Sequence, residues 1–393
     1  MRKTILFFLI VLSVPAAAAE TAEWTMLLFM NGKNNLEEYV DEGLKQMEQV
    51  GSTPDIHVVA QVARLSEPDR VTRVRVLPSA DPSKITSPAI ETLGAVDMGD
   101  YRSLQEFIHW GVEKFPARHY ILVVWNHGYG WHDDTPEEDE RKKPNDISTD
   151  DITNHTITTL ELAATVKDFA QLIGRKLDIF SSDACFMASL EVAYEMAPYA
   201  DYYLGSEELE PLMGWPYHHI LEQWVKDPKM SPESLGRVIT DEYVKFHDLG
   251  IEVTKREVAY SLLDLSKMDA FITAFRDFSH SLLPNDVPEV FAHGSKALAF
   301  DFEDYVDWGD LLKHYNGSGK LSESQTKLAA AATSAYGSLV LFNRVTSELA
   351  DATGASVWLP KNRKSLEQYL ARYRELRFAA ATGWDRVLER WVH

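Results

Sequence analysis

Two largely apolar runs, HYILVVW (His119–Trp125) and KLDIFS (Lys176–Ser181), constrain the fold of this chain more than any other feature. Strands of this kind have no polar face to offer water, so they belong in the middle of a parallel sheet covered by helices on both sides. The neighbouring segments supply those helices. NLEEYVDEGLKQMEQV puts Leu36, Tyr39, Val40, Leu44, Met47 and Val50 on one side, the spacing of an amphipathic helix. YRSLQEFIHWGVEKFP reads as a helix ended near Pro116, and TLELAATVKDFAQLIG as one closed by Gly174. FMASLEVAYEMAPYA reads as a helix starting near Phe186. WTMLLFM, DIHVVAQVA and DYYLGSEEL are further strand candidates, and VTRVRVL alternates like an exposed strand. This rhythm predicts an α/β fold, an α/β/α sandwich with a mainly parallel central sheet, over residues 20–233. Residues 234–393 read as a more helical α/β region with strand candidates at EVAYSLLDL and GASVWLP. That region either packs onto the core as one unit or stands as a separate domain.

The first residues, MRKTILFFLIVLSVPAAAAE, read as a secretory signal. Arg2 and Lys3 give a positive start, the apolar stretch Thr4–Val14 is short for a membrane span, and Ala17–Ala19 supply small residues for cleavage. Residues 1–19 are therefore expected to be removed and the protein exported, secreted or periplasmic, with an uncleaved anchor as the alternative. Without Arg2 and Lys3 the chain has 37 basic against 60 acidic residues, a net charge of −23. Nucleic-acid binding needs a basic face and is disfavoured. An acidic surface attracts cationic substrates, although solubility explains the charge equally well.

Between residues 132 and 159 the rhythm stops. HDDTPEEDERKKPNDISTDD is charged, carries Pro136 and Pro144, and is expected to be an exposed loop. Its one basic cluster is Arg141, Lys142 and Lys143. Asp133, Asp134, Glu137, Glu138, Asp139, Asp150 and Asp151 could offer oxygen ligands to calcium. No EF-hand spacing is present, so a solvated loop is the favoured reading and no cofactor is expected.

Chemistry concentrates at two strand ends. VVWNHGYGW places His127 and Gly128 just past one strand, and SSDAC places Cys185, the chain's one cysteine, just past another. In open parallel sheets, sites form at the carboxyl ends of strands. If the two strands are neighbours, His127 and Cys185 leave the same edge. A nearby imidazole and the N-terminus of the following helix would both favour the reactive thiolate. The Gly128 and Cys185 N–H groups could bind the oxyanion of acyl transfer. Each element also has a plainer reading: His127 as a polar turn residue, Cys185 as a small buried hydrophobe, Asp183 as a helix cap. The adjacent His218 and His219 would face opposite sides of a strand and read as structural.

The segments WTMLLFMNGKNNLEEY, VDMGDYRSLQEFIHWGVEKFPARHYILVVWNHGYGW, LDIFSSDACFMASLEVAYEM and GSEELEPLMGWPY resemble the clostripain family of cysteine peptidases, as do AYSLLDLSKMDAF, YVDWGDLLKHY and ATGWDRVLERW further on. The resemblance runs from Trp24 almost to the C-terminus. It implies a caspase-like fold and a dyad with Cys185 as nucleophile and His127 as general acid/base. It implies cleavage after arginine or lysine, with Asp183 as the acid of the specificity pocket. A second acid is expected near Gly214-Trp215, where Leu212 and Met213 stand; Glu207, Glu208 and Glu210 come a little earlier. It also implies self-processing of a zymogen in the 132–159 loop, after Arg141 or Lys142. The expected substrates are peptides or proteins with basic residues, cut by a monomer that binds neither nucleic acid nor, after signal removal, membrane. Two rivals are a catalytically silent peptide-binding protein of the same fold and a hydrolase with a metal held by His127, His132 and the acidic loop.

Overall fold

The computed structural model describes residues 21–132, 146–249, 257–283, 292 and 294–392. A nine-stranded mixed sheet forms its centre. Five neighbouring strands run parallel, in the order β9 (Ala200–Ser206), β8 (Leu177–Asp183), β5 (Ala117–Trp125), β1 (Ala22–Gly32) and β2 (Ile56–Arg64). Antiparallel strands extend it at both ends. β3 (Val71–Arg75) and β4 (Ala89–Leu93) lie beyond β2, while β10 (Ala259–Asp264) and β12 (Val340–Val345) lie beyond β9.

Successive strand residues point to opposite faces, so each buried strand feeds two cores. Met26, Leu28 and Met30 of β1 join Ile121 and Val123 of β5 on one face. Helices α1 (Glu37–Glu48), α5 (Tyr217–Trp224) and α6 (Pro232–Asp248) cover it with Val40, Ile220 and Ile239. Leu27, Phe29, Leu122 and Val124 face the other way, under α2 (Tyr101–Lys114), α3 (Thr159–Ile173) and α4 (Leu190–Met196). The result is the α/β/α sandwich the periodicity predicts. Strands β10 and β12, from beyond residue 234, extend the same sheet rather than building another. No helix among the described residues is long and apolar enough to cross a membrane.

Three local expectations change, while the GASVWLP strand is present as expected. VTRVRVL is not exposed: β4 pairs with β3 and closes that side, leaving most of β3 buried. GASVWLP contributes β13 (Ser356–Trp358), which pairs with β11 (Tyr305–Asp307) outside the main sheet. The 132–159 stretch is not loop throughout. Its end folds as β6 (Ile147–Asp150) and β7 (His155–Ile157), with Asp146, Ile147, Ser148 and Asp150 buried. Hydrophobic periodicity missed it because these short strands are anchored by polar bonds: Asp150 accepts from the Met98 N–H (2.9 Å) and Ser148 donates to the Met98 carbonyl (2.8 Å). Finally, α4 starts at Leu190, where the Ser189 hydroxyl oxygen accepts from the Val192 N–H. The chain before it turns at Cys185 and Phe186, and the Ala188 N–H is then bonded to the Ser206 carbonyl (2.8 Å).

Glu191, on the first turn of α4, is fully buried and accepts from the Trp358 N–H (2.9 Å), joining α4 to β13. Burial pushes its carboxyl group up to about 7. The folded state therefore binds a proton that the unfolded chain releases above the ordinary glutamate range, and this contribution to stability is lost as pH rises through about 7. Glu191→Gln keeps the acceptor and removes the titration. Unfolding measured between pH 5 and 8 is expected to lose stability with pH less steeply in the variant, by on the order of 3 kcal/mol across the range. Parallel pH profiles would count against a protonated Glu191.

Candidate active site

Strands β5 and β8 are adjacent and parallel, with Trp125 opposite Asp183 at their carboxyl ends. The turns that follow leave one edge of the sheet. His127 and Gly128 sit on the first turn, and Cys185 on the second. His127 and Cys185 line one cavity of about 360 Å3, together with Leu36, Asp183, Glu210 and Leu212.

The two turns touch through a glycine. A Cβ on Gly128 would stand 2.7 Å from the Cys185 carbonyl oxygen and 2.9 Å from the Ala184 Cβ, closer than packed atoms tolerate. Strand β6 fixes the first turn from outside: the Tyr129 N–H donates to the Asp146 carbonyl (2.8 Å), and Gly128 faces Ile147 in an antiparallel bridge. The second turn carries an unusual backbone. Phe186, next to the cysteine, has φ +57, a left-handed conformation rare for a bulky side chain. Its N–H donates to the Glu208 carbonyl (3.3 Å), and its ring packs near Phe302 and Tyr305. This conformation holds Cys185 on the cavity wall and delays the helix.

Cys185 is half-buried, and its Sγ accepts from the Glu210 N–H at 3.2 Å. Burial, reinforced by the Glu210 carboxyl group, pushes the thiol up to about 12. Burial also lowers the His127 imidazole, against the opposing pull of Asp151. Both groups are therefore neutral in the free protein near pH 7. The expected help from a helix N-terminus does not arise, because α4 begins well past the thiol. Asn35, on the turn after β1, was not singled out from the sequence. Its Oδ1 lies 2.7 Å from His127 Nε2. As an acceptor it holds the ring proton on Nε2 and leaves the lone pair on Nδ1. The only signal for it was its place past the carboxyl end of a central strand.

Asp183 does not cap a helix. It accepts from the Trp215 N–H (3.1 and 3.2 Å) and from the Tyr217 hydroxyl (2.6 Å), and it is buried at the cavity. Gly214, with φ +58, lies against it; a Cβ there would come within 2.5 Å of Asp183 Oδ1. Of the expected neighbouring acids, Glu207 and Glu208 turn away from the cavity. Glu207 accepts from the Gly354 N–H (3.0 Å), and Glu208 from the Leu209 and Asp301 N–H groups. Glu210 is the acid of this run that reaches the cavity. A one-residue alternation cannot be resolved from sequence once a strand has ended at Ser206 and the chain turns.

His132 belongs to an aromatic core, its ring centroid 3.6 Å from that of Tyr369, and does not line the cavity. His218 and His219 lie on α5, not on a strand. Asp150 is occupied by the Met98, Ile152 and Thr153 N–H groups and by Lys33 at 3.5 Å. Among the described residues, no group of three or more His, Cys, Asp or Glu side chains is arranged to hold a metal. Arg141, Lys142 and the acidic residues at 133, 134 and 137–139 lie outside the described residues, as do residues 1–19.

A fold with a thiol and an imidazole at adjacent parallel strand ends defines a class, the cysteine peptidases, and sequence comparison places the chain within it. The chain belongs to the clostripain family, whose pattern matches residues 28–391. It is a cysteine peptidase, and its substrates are peptides. No curated protein matches it. Solved structures that share the fold include three C11 proteases. A secreted C11 cysteine protease from Bacteroides thetaiotaomicron, bound to an irreversible peptide inhibitor, is 19% identical, with a TM-score of 0.68, over 93% of this chain and 100% of that one. A second structure of a secreted C11 cysteine protease from the same organism gives 17%, 0.71, 92% and 99%. An inactive zymogen C11 protease from Parabacteroides distasonis gives 18%, 0.68, 93% and 99%.

The Gly128 contact yields a test. Gly128→Ala must push the cysteine turn outward and is expected to cost about 1–3 kcal/mol of stability. Peptidase activity should fall to background while the protein remains folded by circular dichroism. A variant with ordinary activity would show that the two turns need not touch.

Proposed function

We propose that the protein is an exported endopeptidase that cuts after arginine or lysine with a Cys185/His127 dyad. The observation that carries this reading is one cavity bordered by the Cys185 thiol, the His127 imidazole and the buried Asp183 carboxyl group. A basic side chain of the substrate enters beside Asp183, which sets the following carbonyl next to the sulfur. His127 Nδ1 takes the thiol proton as the sulfur bonds to the carbonyl carbon. Among the described residues, the Gly128 and Cys185 N–H groups bond to no other residue, so they are available to the oxyanion of the tetrahedral intermediate. The protonated imidazole gives its proton to the leaving amine, the peptide C–N bond breaks, and a thioester remains. Water, deprotonated by His127, attacks the thioester and frees the new carboxyl end and the thiol. Asn35 keeps the ring oriented through these steps and is a positioning residue.

The raised thiol is compatible with this order of events, because the proton leaves as the bond forms rather than before substrate arrives. The protein is further proposed to act as a monomer without a metal, to lose residues 1–19 on export, and to mature by cleavage after Arg141 or Lys142. Pro144 makes a cut after Lys143 unfavourable.

Fluorogenic substrates with arginine or lysine before the cleaved bond are expected to be turned over by the wild type. Cys185→Ala and His127→Ala should reduce kcat/KM by at least about 1000-fold. Asp183→Asn should weaken basic substrates selectively, and a chelator should change nothing while a thiol alkylator inactivates. A wild type silent on every peptide would support the peptide-binding alternative. Intact-mass analysis tests maturation: wild type is expected to be cut after Arg141 or Lys142 and purified Cys185→Ala to remain whole. The same cut in both, or an active wild type that stays whole, rules out self-processing.

A further inference from the structure

The reaction needs a fixed spacing between the turn that carries His127 and the turn that carries Cys185, and one side chain from the C-terminal half of the chain touches both. Tyr305, on β11, is fully buried. Its hydroxyl donates to the Tyr129 carbonyl (2.8 Å) and accepts from the Trp131 N–H (3.2 Å). Both partners lie on the turn that carries His127 and Gly128, a few residues past the imidazole. The Tyr305 ring packs near that of Phe186, on the cysteine turn, with centroids 6.1 Å apart.

Gly130 shows how closely these parts fit. It has φ +66, and a Cβ there would overlap the Tyr305 hydroxyl and stand 3.2 Å from the Phe186 carbonyl oxygen. The His127 turn is thus pinched between the phenol and the backbone of the cysteine turn. Strand β11 is itself tied to the cysteine turn. Tyr305 pairs with Trp358 of β13, and the Ser356 N–H of β13 donates to the Ala188 carbonyl (2.9 Å), just past Cys185. The phenol therefore sets the position of one turn from a strand anchored on the other.

The hydroxyl is used in both directions, as donor and as acceptor. Burial holds the phenol well above its ordinary range, so it keeps its proton and its donor role near neutral pH. Without the oxygen, the buried Trp131 N–H loses this acceptor, and a turn relieves such a loss by moving. A displacement of about 1 Å in a reacting group costs on the order of 100-fold in rate. The acid end of the cavity has its own supports, because Trp215 and Tyr217 hold Asp183.

We infer that Tyr305 is a positioning residue of the peptidase, a role that rests on the proposed Cys185/His127 reaction. Its hydroxyl fixes the His127 turn against the Cys185 turn and so sets the reach between imidazole and sulfur. The C-terminal half thereby takes part in the chemistry: β11 and β13 hold the two reacting groups in place, while substrate binding stays with the cavity. Loss of the hydroxyl slows bond making without weakening the grip on substrate.

Tyr305→Phe keeps the ring and removes the hydroxyl. Turnover of a fluorogenic arginine or lysine amide is measured beside the wild type. Active sites are counted by complete reaction with an arginyl chloromethyl ketone, which needs a folded site. A purely structural loss lowers the number of sites and leaves the turnover of each unchanged. The expected result is a fall in kcat per site of about 10- to 100-fold with KM held within about twofold. Wild-type turnover per site in this variant overturns the role, whatever happens to the number of sites or to KM. Gly130→Ala disturbs the same contact from the other side and carries the test where Tyr305→Phe does not fold. It is expected to lower kcat per site with KM kept, and wild-type turnover per site there overturns the role. A wild type that cuts no peptide overturns the proposed reaction and this role with it. A wild type that cuts, beside a Tyr305→Phe variant of equal turnover, overturns this role alone.

Discussion

The parallel pairing of β5 with β8 carries the rest of the structure. Their register sets Trp125 against Asp183, and every group of the site is reached from that edge within a few residues. A slip of β8 by one residue against β5 would turn Phe180 away from the core it shares with Leu122 and break up the cavity. The same apolar burial that stabilises the sheet therefore positions His127 and Cys185. The site needs no separate scaffold, only turns of the right length at the carboxyl ends of β1, β5, β8 and β9.

Burial has an electrostatic consequence at that edge. Burial of Asp183 and its neighbours at the floor of the cavity raises the cost of any charge there. In response the thiol and the buried tyrosines stay protonated, Asp183 and Glu210 are both pushed above the ordinary carboxyl range, and His127 and His247 stay neutral.

The sequence made the strands and most helices legible, because long apolar runs and heptad-like spacing report burial directly. It failed where polar contacts hold the backbone. The β6–β7 hairpin is anchored through Asp150 and Ser148, which in the sequence resemble any charged loop. The start of α4 differs from the periodicity because Phe186 adopts a left-handed conformation, with its N–H bonded to the Glu208 carbonyl and its ring packed near Phe302 and Tyr305. Asn35 was invisible because its partner, His127, is 92 residues away in the chain.

By itself the sequence determined the α/β class, the presence of one thiol and one histidine at strand ends, and the family those motifs resemble. These follow from local pattern: apolar periodicity decides which elements form, and residue type decides what chemistry is available. Tertiary structure decided which acid shares the cavity with Asp183. Glu207, Glu208 and Glu210 are chemically alike and nearly adjacent, but the chain turns after Ser206, so that one acid is tied to Gly354, another to Asp301, and the third is left facing the cavity. Side-chain direction past the end of a strand is set by what the backbone meets across the sheet, and no local pattern encodes it.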